Sequence, residues 1–229
     1  MRKKILAFLL CGMMLITGLG GCGAAQQTDN ENTQESVIES DTQENVADIT
    51  AEEKEYEITI ADISSMELVS NMKIGWNLGN TLDATGGIGL ESERAWGNPK
   101  TSKEMIDTVL AQGFNVIRIP VTWEGHFGDA PEYKIHAIWL QRVQEVVDYA
   151  YDQGAYVILN IHHEEWHFPS EENKEAASEQ LAALWTQIAD YFRDYDEHLI
   201  FEGLNEPRKK GTAVEWTGGD KEGRDVVNH

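Results

Sequence analysis

The residues best suited to chemistry stand at the end of one apolar segment. Residues 198–206 are too short and too rich in β-compatible residues for a helix, and Pro207, which has no backbone N–H, follows them. This pattern predicts a buried strand whose ladder stops at the proline. Asn205 and Glu206 then lie at its carboxyl end. A half-shielded carboxyl group there suits general acid/base catalysis, because burial favours its protonated form.

A second carboxylate is expected on the same face of that strand. Side chains alternate along a strand with period 2, so Glu202 and Glu206 should point the same way. Arg118 interrupts another apolar segment, and a buried arginine is costly unless it is paired. Glu202 is the candidate partner of Arg118. The alternative is that Glu206 only caps a turn and that Glu202 faces solvent.

Polar residues recur at one place in successive segments. Arg118 lies late in the second predicted strand, His162 at the end of the third and Glu206 at the end of the fourth, at intervals of about 44 residues. The carboxyl ends of parallel strands meet at one rim of a barrel, which is where barrel enzymes carry their active sites. The spacing therefore predicts a single pocket.

Strand and helix patterns alternate four times in the second part of the chain. The strands are predicted to begin near residues 74, 115, 155 and 198, with apolar helical stripes between them. Such alternation predicts parallel strands with right-handed crossovers. Two architectures fit this order, a (β/α)8 barrel and an open doubly wound sheet. No G-x-G-x-x-G follows the first strand, which argues against a dinucleotide-binding protein.

Tryptophans concentrate in the loops of the predicted pocket. Of seven, two lie on buried helix stripes. Four lie in the loops that follow the four predicted strands: Trp96, Trp123, Trp166 and Trp216. A single loop tryptophan is often a packing residue, but four on one rim favour a cleft with aromatic walls, which suits the apolar face of a sugar ring.

The composition excludes some classes of partner. The chain has 229 residues with 40 acidic and 18 basic side chains, a formal charge of -22. Nucleic acids and anionic membrane surfaces require Lys/Arg patches, so we expect neither as a binding partner. The only cysteines are Cys11 and Cys22, which excludes disulfides and cysteine metal sites from the rest of the chain.

The first part of the chain is typical of an export signal and a tether. Residues 1–22 combine a basic start with a short apolar stretch and end in Leu-Gly-Gly-Cys22, similar to the lipobox of bacterial lipoproteins. We therefore expect lipid attachment at Cys22 and a surface-anchored bacterial lipoprotein, although ordinary signal cleavage with a chance cysteine is the alternative. Residues 23–57 are polar and acidic, which predicts a disordered linker. The folded domain is predicted over 58–229.

Parts of the sequence are also consistent with two other functions. His163 to His167 satisfies H-E-x-x-H, the zinc motif of metalloproteases. That motif requires a helix, whereas here a predicted strand precedes it and Pro169 follows closely. The other is a non-catalytic surface protein that binds glycans in the aromatic cleft, which the sequence leaves open.

Four segments resemble glycoside hydrolase family 5, most closely its subfamily 4 endoglucanases. They are Gly75-Trp76-Asn77-Leu78-Gly79-Asn80-Thr81-Leu82-Asp83, Gly113 to Pro120, Asn160-Ile161-His162-His163-Glu164 and Phe201 to Pro207. The resemblance covers about residues 60–229. It implies a TIM barrel, retaining hydrolysis of β-1,4-glucans and a monomer without cofactor or metal. The substrate-binding residues that we expect are Trp76, Asn80, Trp96, Trp123, Trp166, Trp216 and His163.

The resemblance also implies a role for each polar residue at the rim. Glu206 takes the acid/base position, and Asn205 that of the neighbour which bonds the sugar 2-hydroxyl. Arg118 matches the arginine that orients the nucleophile, and His162 with His163 the subsite histidines. The family's nucleophile, a second Glu at the end of strand seven, has no counterpart here.

The length implies that only part of a barrel is present. A whole barrel takes about 250 residues, whereas about 170 follow the linker. We therefore expect about four of the eight βα units and no hydrolysis by this chain alone. Preference among cellulose, xyloglucan, lichenan and mannan stays open.

Overall fold

The computed structural model describes residues 61–229. The predicted signal segment with Cys22 and the predicted linker 23–57 lie outside the described residues. Within 61–229, none of the helices combines the length and apolar composition that a membrane crossing requires.

The described residues form four strand–helix units. The strands are β1 (Gly75–Asn77), β2 (Val116–Ile119), β3 (Tyr156–Asn160) and β4 (Leu199–Glu202). The α-helices are α1 (Ser65–Asn71), α2 (Lys103–Ala111), α3 (Ala137–Tyr151), α4 (Lys174–Tyr191) and α5 (Lys221–Val227), and a 3-10 helix spans Gly89–Arg94. The sheet order is β1-β2-β3-β4 and every pair is parallel. The predicted alternation is confirmed.

The core lies between the sheet and its helices. Buried side chains of β2 and β3, such as Ile117 and Leu159, meet the stripe of α3, of which Val143 and Val146 are fully buried. The two outer strands are more open, and Phe201 of β4 is 41% exposed. The two central strands are thus the best packed part of the sheet, and this packing fixes the positions of their carboxyl ends.

The fourth strand is shorter than the sequence predicted. Hydrogen-bonded pairing with β3 ends at Glu202, opposite Asn160, so the prediction that the strand runs to Glu206 is wrong. The backbone turns before Pro207, because Glu206 adopts a left-handed φ of 44°. One further contact, from Asn205 N to Ile161 O at 2.8 Å, still ties this turn to the end of β3.

A buried ion pair links the 3-10 helix to α3. Arg142 donates from Nε to Glu93 Oε2 at 2.9 Å and from Nη2 to Glu93 Oε1 at 2.8 Å. Their side chains are 2% and 1% exposed. Glu93 also accepts from the backbone N of Thr101 at 2.7 Å, and the carbonyl of Thr101 accepts from Arg142 Nη2 at 2.7 Å. These bonds fix the start of α2 against α3.

His126 makes the stability of the domain dependent on pH. Its buried ring stacks on Trp139 at a centroid distance of 3.7 Å, and burial lowers its pKa to about 4. The unfolded chain binds a proton there below about pH 6.5, whereas the folded chain does so only near pH 4. The stabilisation is therefore complete above pH 6.5 and is lost as the pH falls towards 4.

We expect His126→Gln to flatten the acid side of the stability profile. Urea unfolding between pH 7 and pH 4 measures it, with the remaining slope attributed to other histidines whose pKa is lowered, such as His162. Parallel profiles for the parent and the variant would contradict the assignment.

Candidate active site

Arg118 and Glu202 form the central ion pair of the rim. Arg118 donates from Nε to Glu202 Oε2 at 2.7 Å and from Nη2 to Glu202 Oε1 at 2.6 Å. It also reaches Asn77 Oδ1 at 2.9 Å and Asn205 Oδ1 at 3.1 Å. The bonds from Arg118 lower the pKa of Glu202, and the carboxylate raises the pKa of Arg118. The predicted pair is confirmed, and its guanidinium joins the ends of β1, β2 and β4.

His162 and His163 follow β3 and lie beside a buried aspartate. Their rings meet edge to face with centroids 4.3 Å apart, and each Nε2 lies 3.9 Å from Asp83 Oδ2. Burial and the neighbouring His163 lower the pKa of His162 to about 4, and burial lowers the pKa of His163. Both rings are therefore mainly neutral at pH 7.

The rim histidines line a surface depression, and Glu206 lies at its mouth. The depression is lined by His162, His163, Glu164, Glu165, Asn205 and Glu206, among others. Glu206 accepts from Arg208 Nη1 at 2.7 Å, and its side chain is 58% exposed. The carboxyl group is thus somewhat more exposed than the half-shielded carboxyl group that the sequence predicts. Its neighbourhood with the histidines and Asn205 is confirmed.

The predicted aromatic wall is only partly present. Trp96 is 45% exposed and its ring lies 5.4 Å from that of His163. Trp216 is 74% exposed and stacks under Arg208, whose Cζ is 4.4 Å from the ring centroid. Trp166 is half-buried and lies in the loop after β3. The indole rings of these three tryptophans lie at or near the rim.

Trp123 does not line the cleft. Its side chain is fully buried in the core, and its Nε1 donates to Asn160 O at 3.0 Å. The prediction that it binds substrate is wrong, because the loop after β2 folds its indole inward. Trp76 is half-buried against the core, and Asn80 is exposed with a left-handed φ of 64° after β1.

Glu164 is a buried carboxyl group that the sequence did not single out. It accepts from Trp123 N at 2.6 Å, from Trp166 Nε1 at 2.7 Å and from Glu124 N at 3.3 Å. Burial outweighs these donors and raises its pKa to about 7. Through these hydrogen bonds Glu164 connects the loop after β2 to the loop after β3. The sequence signals for this residue are its place directly after two rim histidines and its membership of the H-E-x-x-H match.

The geometry excludes the zinc-protease interpretation of His163 to His167. This segment is a loop and not a helix, so the two histidines are not presented on one helical face. Ligand atoms of Asp83, His162 and His163 do come within 4.8 Å of one another. That trio is the one group of possible metal ligands at the rim among residues 61–229.

The rim therefore combines an exposed carboxylate, two neutral imidazoles and a fixed guanidinium–carboxylate pair. Such a set can transfer a proton at Glu206 and bind hydroxyl groups through Asn205 and the imidazoles.

Comparisons with known proteins agree with this chemistry. A sequence model described as "Cellulase (glycosyl hydrolase family 5)" matches residues 78–229. Endoglucanase A of Ruminococcus albus is 64% identical over 170 residues, which are 74% of this chain and 47% of that protein.

Solved structures match a similar share of the chain. A GH5-4 broad-specificity endoglucanase from Ruminococcus champanellensis with bound cellotriose has a TM-score of 0.72 at 50% identity, covering 74% of this chain and 51% of that one. A xyloglucan-specific endo-β-1,4-glucanase from a metagenomic library, in complex with cellotriose, has a TM-score of 0.70 at 55% identity, covering 71% and 49%. The chain spans about half the length of these relatives. Its four parallel units are part of a (β/α)8 barrel, as predicted, and not an open doubly wound sheet.

Proposed function

Because this chain belongs to the cellulase family, glycosyl hydrolase family 5, we propose that it supplies half of the catalytic barrel of an endo-β-1,4-glucanase. The substrate is a β-glucan, hydrolysed with retention of configuration, and the enzyme acts as a monomer without cofactor or metal.

One observation carries the proposal. Arg118 holds Glu202 with two hydrogen bonds and reaches Asn205 Oδ1 at 3.1 Å, which places the adjacent Glu206 beside the rim histidines. The guanidinium is thereby fixed on three strand ends before any substrate arrives. A preorganised polar rim of this kind is what glycosidic bond cleavage requires.

The proposed reaction uses Glu206 twice. In the first step Glu206 gives its proton to the leaving glycosidic oxygen while a second carboxylate attacks the anomeric carbon and forms a glycosyl-enzyme. In the second step Glu206 takes a proton from water, whose oxygen attacks the anomeric carbon and releases the second carboxylate. Retaining enzymes hold these carboxyl groups about 5–5.5 Å apart. We assign the second carboxylate to the part of the family barrel that lies outside the matched half.

The polar neighbours then bind and orient the sugar. Asn205 Nδ2 is left to donate to a hydroxyl group next to the anomeric carbon, because its Oδ1 already accepts from Arg118. Arg118 orients the attacking carboxylate by charge. His162 and His163 contact hydroxyl groups further along the chain, and Trp96 offers its exposed face to a sugar ring.

Binding of cellotriose tests the proposal on this chain. We expect calorimetry of the 229-residue protein to show binding without turnover, and Trp96→Ala to weaken the affinity by about tenfold, which is about 1.4 kcal/mol. Ile88, 90% exposed in the same loop, gives the control Ile88→Ala, for which the affinity should not change. Equal affinity for the parent and Trp96→Ala would contradict the assigned cleft.

We also propose that Cys22 carries a lipid that anchors the protein at the bacterial surface. The lipobox-like Leu19-Gly20-Gly21-Cys22 and the acidic segment that follows it support this proposal. Cells grown with a radioactive fatty acid should label the wild-type protein and not Cys22→Ala, because the thioether cannot form without the sulfur. Cys11→Ala is the control and should label as the wild type does. Equal labelling of Cys22→Ala would end the idea.

A further inference from the structure

Asn160 is a buried side chain at the end of β3 to which no role has been given. It is fully buried, and its carboxamide makes three hydrogen bonds. Its Oδ1 accepts from Val121 N at 3.2 Å. Its Nδ2 lies 3.0 Å from Glu202 Oε1 and 3.0 Å from His162 Nδ1. Asn160 therefore connects the central ion pair to the more enclosed of the two rim histidines.

The orientation of this carboxamide follows from its neighbours. Val121 N–H is a donor and requires the oxygen of Asn160, whereas the Glu202 carboxylate is an acceptor and requires its NH2 group. A flipped amide would place donor against donor at Val121 and acceptor against acceptor at Glu202. The two hydrogens of Nδ2 are thus directed to Glu202 Oε1 and to His162 Nδ1.

A neutral imidazole carries one proton, on either Nδ1 or Nε2. Because Nδ1 of His162 faces a donor, it must present its lone pair there, and the proton resides on Nε2. We infer that Asn160 is a positioning residue that holds His162 as the Nε2–H tautomer, so that the ring donates a hydrogen bond into the sugar-binding mouth. The consequence for substrate rests on the proposed function, since a sugar hydroxyl oxygen is the acceptor.

The same tautomer disfavours a metal ion at the rim. The trio of Asp83, His162 and His163 has the donor types of a two-histidine, one-carboxylate site. Metal ligation by His162 Nε2 would require the lone pair on that nitrogen and the proton on Nδ1. Asn160 Nδ2 occupies the place where that proton would find an acceptor. The hydrogen bond from Asn160 thus favours hydrogen bonding over metal binding at Asp83, His162 and His163.

Asn160→Asp is the variant that reverses this arrangement without changing the shape of the side chain. One carboxylate oxygen still accepts from Val121 N, and the other now faces His162 Nδ1 as an acceptor. The charged and titratable groups around His162 are Asp83, Glu202, Arg118 and His163. They are unchanged in the variant, except that Glu202 loses the Asn160 donor at 3.0 Å and faces a second carboxylate oxygen in its place, a repulsion that protonation of His162 relieves.

Nitrogen-15 NMR of the histidine rings tests the inference on the 229-residue chain. The spectrum of His162→Gln assigns the His162 signals by difference. In the wild type we expect the pattern of the Nε2–H tautomer at pH 7. In Asn160→Asp we expect proton density on Nδ1 and a titration midpoint higher by about 1–3 pH units.

Asn173→Asp is the matched control, because Asn173 Nδ2 also donates two hydrogen bonds, to Trp166 O and Phe168 O, without reaching His162. It should leave the His162 signals and midpoint as in the wild type. An Nδ1–H pattern in the wild type would overturn the inference even if Asn160→Asp does not fold. So would an unchanged tautomer and midpoint in a folded Asn160→Asp. Neither measurement uses a glucan, so failure here is distinct from failure of the proposed function.

Discussion

Glu206→Gln should lower glucan hydrolysis by about 10²–10⁴-fold in a complete barrel, the range that general acid/base catalysis contributes. Glutamine keeps the size of the side chain and has no proton to give to the leaving oxygen. The measurement needs the second half of the barrel. A chimera in which residues 61–229 replace the matching part of Ruminococcus albus Endoglucanase A provides it, since the two are 64% identical there.

The leaving group distinguishes lost acid catalysis from a damaged fold. In a glucoside of an acidic phenol, the phenolate leaves without being protonated. The rate of the first step in Glu206→Gln should therefore be nearly normal for this substrate. For lichenan or carboxymethyl-cellulose the same step should be strongly slowed. Glu165, which lines the same mouth and is 64% exposed, supplies the control Glu165→Gln, expected to keep activity within about twofold. Full activity of Glu206→Gln on the polymers would remove Glu206 from the mechanism.

Glu93→Gln should cost about 3–5 kcal/mol in the free energy of unfolding, which is typical when one partner of a buried ion pair is removed. The change removes the buried partner of Arg142, whose side chain is 2% exposed, while its Nη1 stays paired with the half-exposed Glu145 at 2.5 Å. Such a loss is a large part of the 5–15 kcal/mol that stabilises an ordinary domain. Urea denaturation at pH 7 measures it through the shift of the midpoint.

Glu91 provides a matched control on the same 3-10 helix. Its pair with Arg94 is 3.4 Å long, with side chains 77% and 59% exposed. Glu91→Gln should therefore change the free energy of unfolding by less than about 0.5 kcal/mol. Similar losses of stability in the two glutamine variants would show that burial does not determine how much each ion pair contributes.

The strand order and the rim were accessible to sequence reasoning because they follow from simple rules. Parallel strands place their carboxyl ends together, so the spacing of Arg118, His162 and Glu206 was enough to predict a common mouth. The partner of Arg118 was accessible for a related reason, since a charge inside an apolar segment needs compensation and Glu202 was the nearest candidate on the face concerned.

The direction in which a loop side chain points cannot be predicted from the sequence. Position in a loop after a strand says nothing about whether an indole turns inward, so Trp123 and Trp96 looked equivalent although only Trp96 is exposed. Glu93 and Arg142 are 49 residues apart, and their pairing depends on how the 3-10 helix folds over α3. One signal was present, because Arg142 lies three residues after Trp139 on a stripe that is otherwise apolar.

Glu206 occupies a backbone conformation that its own side chain disfavours. A left-handed φ costs a residue with a Cβ about 1–2 kcal/mol, a cost that glycine does not have. A mutation to glycine would relieve it and delete the carboxyl group at the same time. A relaxed backbone and the proposed acid/base role therefore make opposite demands on the residue at this position.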